Sequence, residues 1–501
     1  MRRVLKWVAV AAGAIVLALA AAVFALYQSA DESNVGELGF AQELRIPPLL
    51  EPQVVDDGRK VFDLELQEGE TELLPAMMTK TWGANGPYLA PTLRATAGDE
   101  VLVNVENSLP DETTTIHWHG MHLPAAADGG PHQMIEAGTT WSPQWKIEQP
   151  AATLWYHPHL HPETEDHVYR GITGMFIVDD PDASKLALPD SYGRDDIPLI
   201  IADKKFEDDG SLDHSKGPIS PTGLLGDEIL VNGSHDPHLE VRDERVRLRL
   251  LNASNARIYN IGFDDDRQFD LIATEQGLLE APQALDRIQL SPGERAEIVA
   301  EFEPGAEVVL RSFEPDLGTN FFDGRFSGAD DTFDLVEIRA AEDLAPSAEL
   351  PEQLAVQPRL IADQAREVRR FELSGQSSIN DEEMDLSRID QAVEVGTTEI
   401  WEVENASGTP HNFHTHDLRF RVLEYAGEAP PPHLQGLKDT VYVPPNESVR
   451  FVTAFSDYTD PDLPYMFHCH VLQHEDRGMM GQFVVVEPGQ QPGSTPTEHG
   501  H

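Results

Sequence analysis

The 501-residue chain has a single cysteine, Cys469. That excludes an intrachain disulfide and any multi-cysteine zinc or iron–sulfur site. Basic residues are scarce as well: Lys plus Arg number 36 against 87 Asp plus Glu, a formal net charge of −51. Phosphate contacts require clustered Lys and Arg, so nucleic acid is excluded as a partner. The same balance argues against docking of the body on an anionic membrane surface. Only nine lysines are present, which reads as adaptation to a salty or acidic milieu. The ten methionines are scattered, with no methionine-rich run. Apolar residues at 40% are ample for packed cores, and at roughly 150 residues per domain the length suggests three of them.

One long hydrophobic run exists. Arg2, Arg3 and Lys6 precede an apolar stretch from Trp7 to Tyr27, interrupted by Gly13. A basic segment followed by an apolar one marks residues 1–30 as a signal peptide or a membrane anchor. The Arg2-Arg3 pair is similar to a twin-arginine export signal. Either way the body is expected outside the cytoplasm, periplasmic or otherwise extracytoplasmic, with a possible N-terminal membrane tether.

The body reads as all-β. Segments 101–105, 174–178, 199–202, 246–251, 296–302 and 448–453 are short β-branched or alternating runs. Pro and Gly, 37 of each, punctuate them at the spacing of sandwiches. Residues 95–108 (ATAGDEVLVNVENS) and 393–407 (VEVGTTEIWEVENAS) repeat one phrase: strand, Gly turn, strand, Asn. A weaker relative, 239–254, ends LRLLNAS. Three sandwich modules follow, expected at 43–185, 196–342 and 358–488, with metal chemistry in the first and third and a disordered tail at 489–501.

Half of the 20 histidines fall in four short strings: His117-Trp118-His119-Gly120, His157-Pro158-His159, His411-Asn412-Phe413-His414-Thr415-His416 and His468-Cys469-His470-Val471-Leu472-Gln473-His474. On a strand, residues i and i+2 share a face. Each His-x-His therefore presents two imidazoles side by side, and parity sorts the strings into two sets. One set is eight histidines: His117, His119, His157, His159, His414, His416, His468 and His470. The other is His411, Cys469 and His474, with Met479 close by in sequence. Two imidazoles, a thiolate and a weak thioether make a blue-copper electron-transfer site. Eight imidazoles are too many for one ion and suit a cluster of two or three coppers.

The HWHG, HPH, H-x-x-H-x-H and HCH-x-x-x-H-x-x-x-x-M strings resemble the four copper motifs of the multicopper oxidases, with GLLGDEILVNG at 223–233 and SPGERAEIVAEF at 291–302 extending the likeness through the middle of the chain. The resemblance implies three consecutive cupredoxin-like Greek-key β-sandwich domains and four copper ions. His117 and His414 would hold the type 2 copper. His119, His157, His159, His416, His468 and His470 would hold the type 3 pair, and His411, Cys469, His474 and axial Met479 the type 1 copper. Asn412 departs from the proline usual after the type 1 histidine. Asp128 and Glu475 resemble the family's acids beside the trinuclear cluster, which would supply protons for reducing dioxygen to water.

The bacterial members include laccases, cuprous oxidases and bilirubin oxidases. Sparse methionine, and Thr409 where cuprous oxidases carry a methionine near the type 1 histidine, argue against a specialised cuprous oxidase. Phenolic or aromatic donors, or metal ions, are the expected electron source. The competing reading is a periplasmic copper-tolerance protein whose turnover is incidental. A nitrite reductase would lack the paired type 3 ligands, and a zinc hydrolase would leave Cys469 unexplained.

Overall fold

The computed structural model describes residues 2–28, 30, 32–217 and 219–493; residues 494–501 of the expected disordered tail lie outside the described residues. Its body consists of six β-sheets that pair into three sandwiches. All six runs read as strands in the sequence are strands: Glu100–Asn107, Gly174–Asp179, Asp196–Lys204, Arg245–Asn252, Arg295–Glu301 and Ser448–Phe455. In Glu100–Asn107, Val101, Val103 and Val105 point inward with no exposure while their neighbours lie nearer solvent. That alternation is the period of two that a sandwich face requires.

Each sandwich has its own apolar core. Phe62, Val103, Leu154 and Phe176 centre the first. Leu199, Leu248, Ile298 and Val336 centre the second, and Phe371, Trp401, Phe413 and Phe451 the third. The short strand Gln42–Glu43 pairs in parallel with Pro237 and His238 of the second sandwich. The chain therefore touches the middle module before its first-sandwich strands begin at Gln53–Val54.

The repeated phrase ends in the same structural device three times. Asn107, Asn252 and Asn405 close the strands Glu100–Asn107, Arg245–Asn252 and Thr397–Asn405, all with zero exposure. Each side-chain oxygen accepts the amide two residues on, from Leu109, Ser254 and Ser407. Each side-chain NH2 donates to a nearby carbonyl and to a distant one: Glu112 and Ile135, Arg257 and Leu290, Thr409 and Val443. Asn is suited to this corner because one amide offers both donors and an acceptor. The middle module shares it, although it carries none of the histidine strings.

Other helices among the described residues are short. The exception is Arg2–Gln28. Its window Ala11–Gln28 has mean hydropathy 2.0, is long and apolar enough to cross a membrane, and has none of its residues buried against the body. At its end Tyr27 packs on Phe321, Phe322 and Phe326, and the Tyr27 carbonyl accepts from Arg325 Nε at 2.9 Å.

Candidate metal centre

The strands carrying the histidine strings belong to one sheet of the first sandwich and one of the third. His117–His119 pairs with Ala152–His157, placing His117 opposite His157. His411–Thr415 pairs with Asp460–His468, placing His414 opposite His468. Where the two sheets meet, all eight imidazoles converge, each at most 1% exposed. Nitrogens of His119, His157 and His470 lie within 4.8 Å of one another, as do those of His159, His416 and His468, and those of His117, His119 and His414.

Hydrogen bonding orients the rings. The Nδ1–H groups of His117, His157, His414 and His468 donate to the carbonyls of Asp128, Pro158, Asp439 and Cys469 at 2.8–3.1 Å. His416 Nδ1 meets Asp128 Oδ2 at 2.7 Å. His119 is reversed: its Nε2 faces Asp439 Oδ1 at 3.2 Å and Thr440 Oγ1 at 3.1 Å. With one nitrogen so engaged, the other presents a bare lone pair. Accordingly Nε2 of His117, His157 and His414, and Nδ1 of His119, are buried with no partner. Burial, reinforced by neighbouring histidines, holds all four rings well below the ordinary imidazole pKa.

The Nε2 atoms of His159, His416 and His468 form a triangle with sides of 3.2, 3.2 and 3.3 Å. Its centre lies about 1.9 Å from each nitrogen, close to a metal–imidazole bond of about 2.0 Å. Lone pairs from three rings aimed at one point repel unless a cation sits there. The donor set therefore fits bound copper.

The second group is equally closed. His411 Nδ1, His474 Nδ1 and Cys469 Sγ face one another, with 3.0 Å between the nitrogens and 3.5 and 3.7 Å from sulfur to each. His411 Nε2 donates towards Gly375 O and Ser407 Oγ, and His474 Nε2 to Pro221 O at 2.8 Å. Met479 is fully buried, and its main chain bonds to Cys469 and His474. Burial pushes the Cys469 thiol up to about 12. A thiolate there needs a cation to displace the proton. Parity works as the sequence implied: His468 and His470 serve the imidazole cluster while Cys469 between them points to His411 and His474.

The two expected acids sit against the cluster, on different rings. Asp128, 1% exposed, contacts His416 and lies 3.5 Å from His117 Nδ1. Burial, with Asp417 nearby, pushes its carboxyl well above the usual range. Glu475 faces His159 Nδ1 at 3.4 Å and His468 Nδ1 at 3.1 Å. Burial opposes its charge, but those two rings favour it and prevail, holding this carboxyl well below its usual range.

Other residues around the site have no role in the motif strings. Asp439 links His119 to Arg295 of the second sandwich through two contacts of 2.8 and 2.7 Å, and also takes Gln276 Nε2 at 2.6 Å. Buried Lys438 reaches Glu275 at 2.6 Å and Glu294 at 3.0 Å. Gly293, at φ +83°, lets the chain pass so close that an added Cβ would lie 3.1 Å from the rings of His119 and His470. The 291–295 phrase thus buttresses the cluster from a module that supplies none of its imidazoles. The sequence signal was a charged Lys-Asp pair at 438–439 heading the β-branched segment Thr440–Val443.

Comparison with known proteins agrees with this geometry. Two multicopper oxidase family models match residues 65–183 and 353–489. Multicopper oxidase mco of Staphylococcus aureus is 35% identical over 453 residues, covering 89% of this chain and 93% of that protein. Cell division protein FtsP of Dickeya dadantii is also 35% identical, over 454 residues and the same shares of both chains. The crystal structure of laccase from Pediococcus acidilactici superposes with a TM-score of 0.81 at 34% identity, covering 89% of this chain and 94% of that one. The chain therefore belongs to the multicopper oxidase family of copper-dependent oxidoreductases.

Proposed function

We propose that the protein couples one-electron oxidation of phenolic or aromatic donors, or of metal ions, to the four-electron reduction of dioxygen to water. In this reading His411, Cys469, His474 and Met479 hold the type 1 copper. His117 and His414 hold the type 2 copper, and His119, His157, His159, His416, His468 and His470 the type 3 pair. Copper at these positions would supply one-electron chemistry at the thiolate and several electrons at once to dioxygen. The observation that carries the reading is the tripeptide His468-Cys469-His470, which joins the two donor sets covalently while the ring of His468 also bonds the Cys469 carbonyl at 3.1 Å.

The protein's own groups define both ends. At the donor end, His474 Nε2 donates to Pro221 O of the second module at 2.8 Å, which orients this imidazole towards Cys469. At the oxygen end, Asp128 and Glu475 are both buried against the imidazole cluster on different rings, Asp128 at His416 and His117 and Glu475 at His159 and His468. Asp128, whose burial favours the protonated form, is suited to deliver protons; Glu475 sits against the rings of His159 and His468 on the other side of the cluster. The apolar N-terminal helix fits export of this body, by a signal or under a retained tether.

The test is the spectrum and oxygen uptake of copper-loaded protein. An intense visible thiolate–copper band, about four coppers per chain and oxygen uptake with a phenol are expected. A colourless, fully loaded protein overturns the reading. Similarity to FtsP favours a second reading, a role in cell division, beside that of a copper-tolerance protein with incidental turnover; copper binding without oxygen uptake, with a phenol or with Cu(I), would overturn the oxidase in favour of one of these.

A further inference from the structure

The apolar helix Arg2–Gln28 ends beside the His474 edge of the second donor set. The residues that follow the helix are fixed to the second sandwich. The Glu32 amide donates to Asp331 Oδ1 at 3.0 Å, and Ser33 pairs with Thr332 in a parallel bridge. Asn34 Nδ2 donates to Asp334 O at 3.2 Å, and the Asp334 amide returns a bond to Asn34 Oδ1 at 2.7 Å. A cavity of about 220 Å³ opens beside this join. Leu26 and Ala30 line one side of it, and Ser220, Gly223 and Leu225 another. Pro221, inside that second stretch, accepts from His474 Nε2 at 2.8 Å, and an added Cβ on Gly223 would lie 3.0 Å from Gln473 Cβ. One stretch of chain therefore separates the cavity from the His474 imidazole.

The apolar window ends at Gln28. At about 1.5 Å of rise per helical residue, Leu26 lies roughly 3 Å from that end, so a helix spanning a bilayer leaves the cavity at headgroup level whatever its tilt. Phe321, 79% exposed, is the only exposed Phe or Trp of the body among the described residues, and it packs on Tyr27 at the helix end. Aromatic rings at the end of a span favour the membrane interface. A chain of net charge −51 gains nothing from anionic headgroups, so attachment rests on the helix and these rings.

We propose that residues 1–28 are retained as a membrane anchor and that the cavity between Leu26 and Ser220 takes the ring of a lipid-soluble hydroquinone, the electron donor at the His474 edge. The inference rests on the four-copper reading above and narrows its phenolic donor to one dissolved in the bilayer. Pockets for drug-sized ligands run from about 300 to 1,000 Å³. This smaller one suits a single ring whose alkyl tail stays in lipid, passing Ile219, which lines the cavity and is 37% exposed. Each hydroquinone gives up two electrons, one at a time, and two protons to become the quinone. Two of them supply the four electrons and four protons that turn one dioxygen into two waters. Asp227, exposed in the lining, is a carboxylate placed to take the phenolic protons.

The full-length product should sediment with cell membranes at the mass of an intact N-terminus; a soluble product shortened there overturns the proposal. Copper-loaded full-length protein in phosphatidylcholine vesicles is then compared on decylhydroquinone, which dissolves in the bilayer, and hydroquinone sulfonate, which stays in water. Ile219→Arg puts a charge where the tail passes and should cut the ratio of kcat/KM for the first donor over the second about tenfold, with the visible band unchanged. An unchanged ratio overturns the proposal. Should that variant not take up copper, wild-type protein in vesicles containing a photoactivatable azido-decylquinone decides. Label on residues 26–30 or 219–225 supports the site, and label elsewhere or none overturns it. Wild-type protein that takes up oxygen with neither donor and has no thiolate–copper band would instead overturn the four-copper reading, which keeps the two failures distinct.

Discussion

Arg295 and Asp439 make a two-pronged ion pair with zero exposure on either side chain, and the same carboxylate faces the Nε2 of His119. A residue of the second sandwich thus sets the orientation of an imidazole in the first through a carboxylate in the third. Arg295→Met leaves Asp439 as an uncompensated buried charge, and breaking such a pair costs about 3–5 kcal/mol. Urea unfolding should show that loss; a change within about 0.5 kcal/mol, the range of ordinary surface substitutions, would mean the pair is dispensable.

Cys469→Ser should abolish the visible band and remove one copper per chain while leaving the imidazole cluster filled, because the eight rings are oriented by contacts other than the thiol. Metal analysis with the absorption spectrum checks it. Loss of all copper would mean that the two donor sets are not independent.

Asp128→Asn should slow oxygen reduction by about 10²–10⁴, the range of a positioned general acid. The visible band should survive, since Asp128 contacts His117 and His416 and none of His411, Cys469 or His474. Steady-state oxygen uptake beside the spectrum separates the two effects. Unchanged turnover removes the residue from proton delivery.

His122 joins the first sandwich to the third, with Nδ1 2.7 Å from Asp417 and Nε2 2.9 Å from Asp457. Burial opposes its charge, but the two carboxylates outweigh it and raise its pKa to about 10. A folded-state pKa above the unfolded value of about 6.5 gives stability that is full below pH 6.5 and lost as pH rises towards 10. The deficit of His122→Gln relative to wild type should therefore shrink steadily across that window. Unfolding midpoints at pH 6, 8 and 10 test it, and a deficit independent of pH would contradict the ion pairs.

Removing copper should lower the midpoint for unfolding. Lone pairs of His159, His416 and His468 would then face one another at 3.2–3.3 Å with nothing between them. A ligand that binds only the folded state contributes about 4 kcal/mol at 1,000 times its Kd. Calorimetry before and after chelation measures this, and identical midpoints would argue that the rings are held apart by protein alone.

The parts of the site legible in the sequence are those fixed by local geometry. His117 and His119, or His468 and His470, share a face because strand side chains alternate, so pairing and parity need no tertiary information. Asp128 and Glu475 were reachable only through the resemblance, since nothing local distinguishes them among 87 acids. Arg295 lies in the quoted 291–302 phrase and Lys438-Asp439 form a charged pair before a β-branched segment, but their contacts could not be read, because these depend on which module packs against which. Asn412 was visible as a departure in the motif, but its partners Ser291 and Pro292 lie about 120 residues away. The fold followed the same division: short strands could be read from alternation, while the pairing of Gln42–Glu43 with the second sandwich could not.

The three asparagine corners offer a way to count modules that is independent of the metal sites. Asn107, Asn252 and Asn405 keep one bonding pattern in two modules that carry histidine strings and one that carries none. A side chain that touches none of the metal-binding rings is then what the three modules have in common, while the histidine strings occupy only the first and third. Counting that corner, rather than histidine strings, would therefore count sandwich modules in a related chain, including modules that hold no metal.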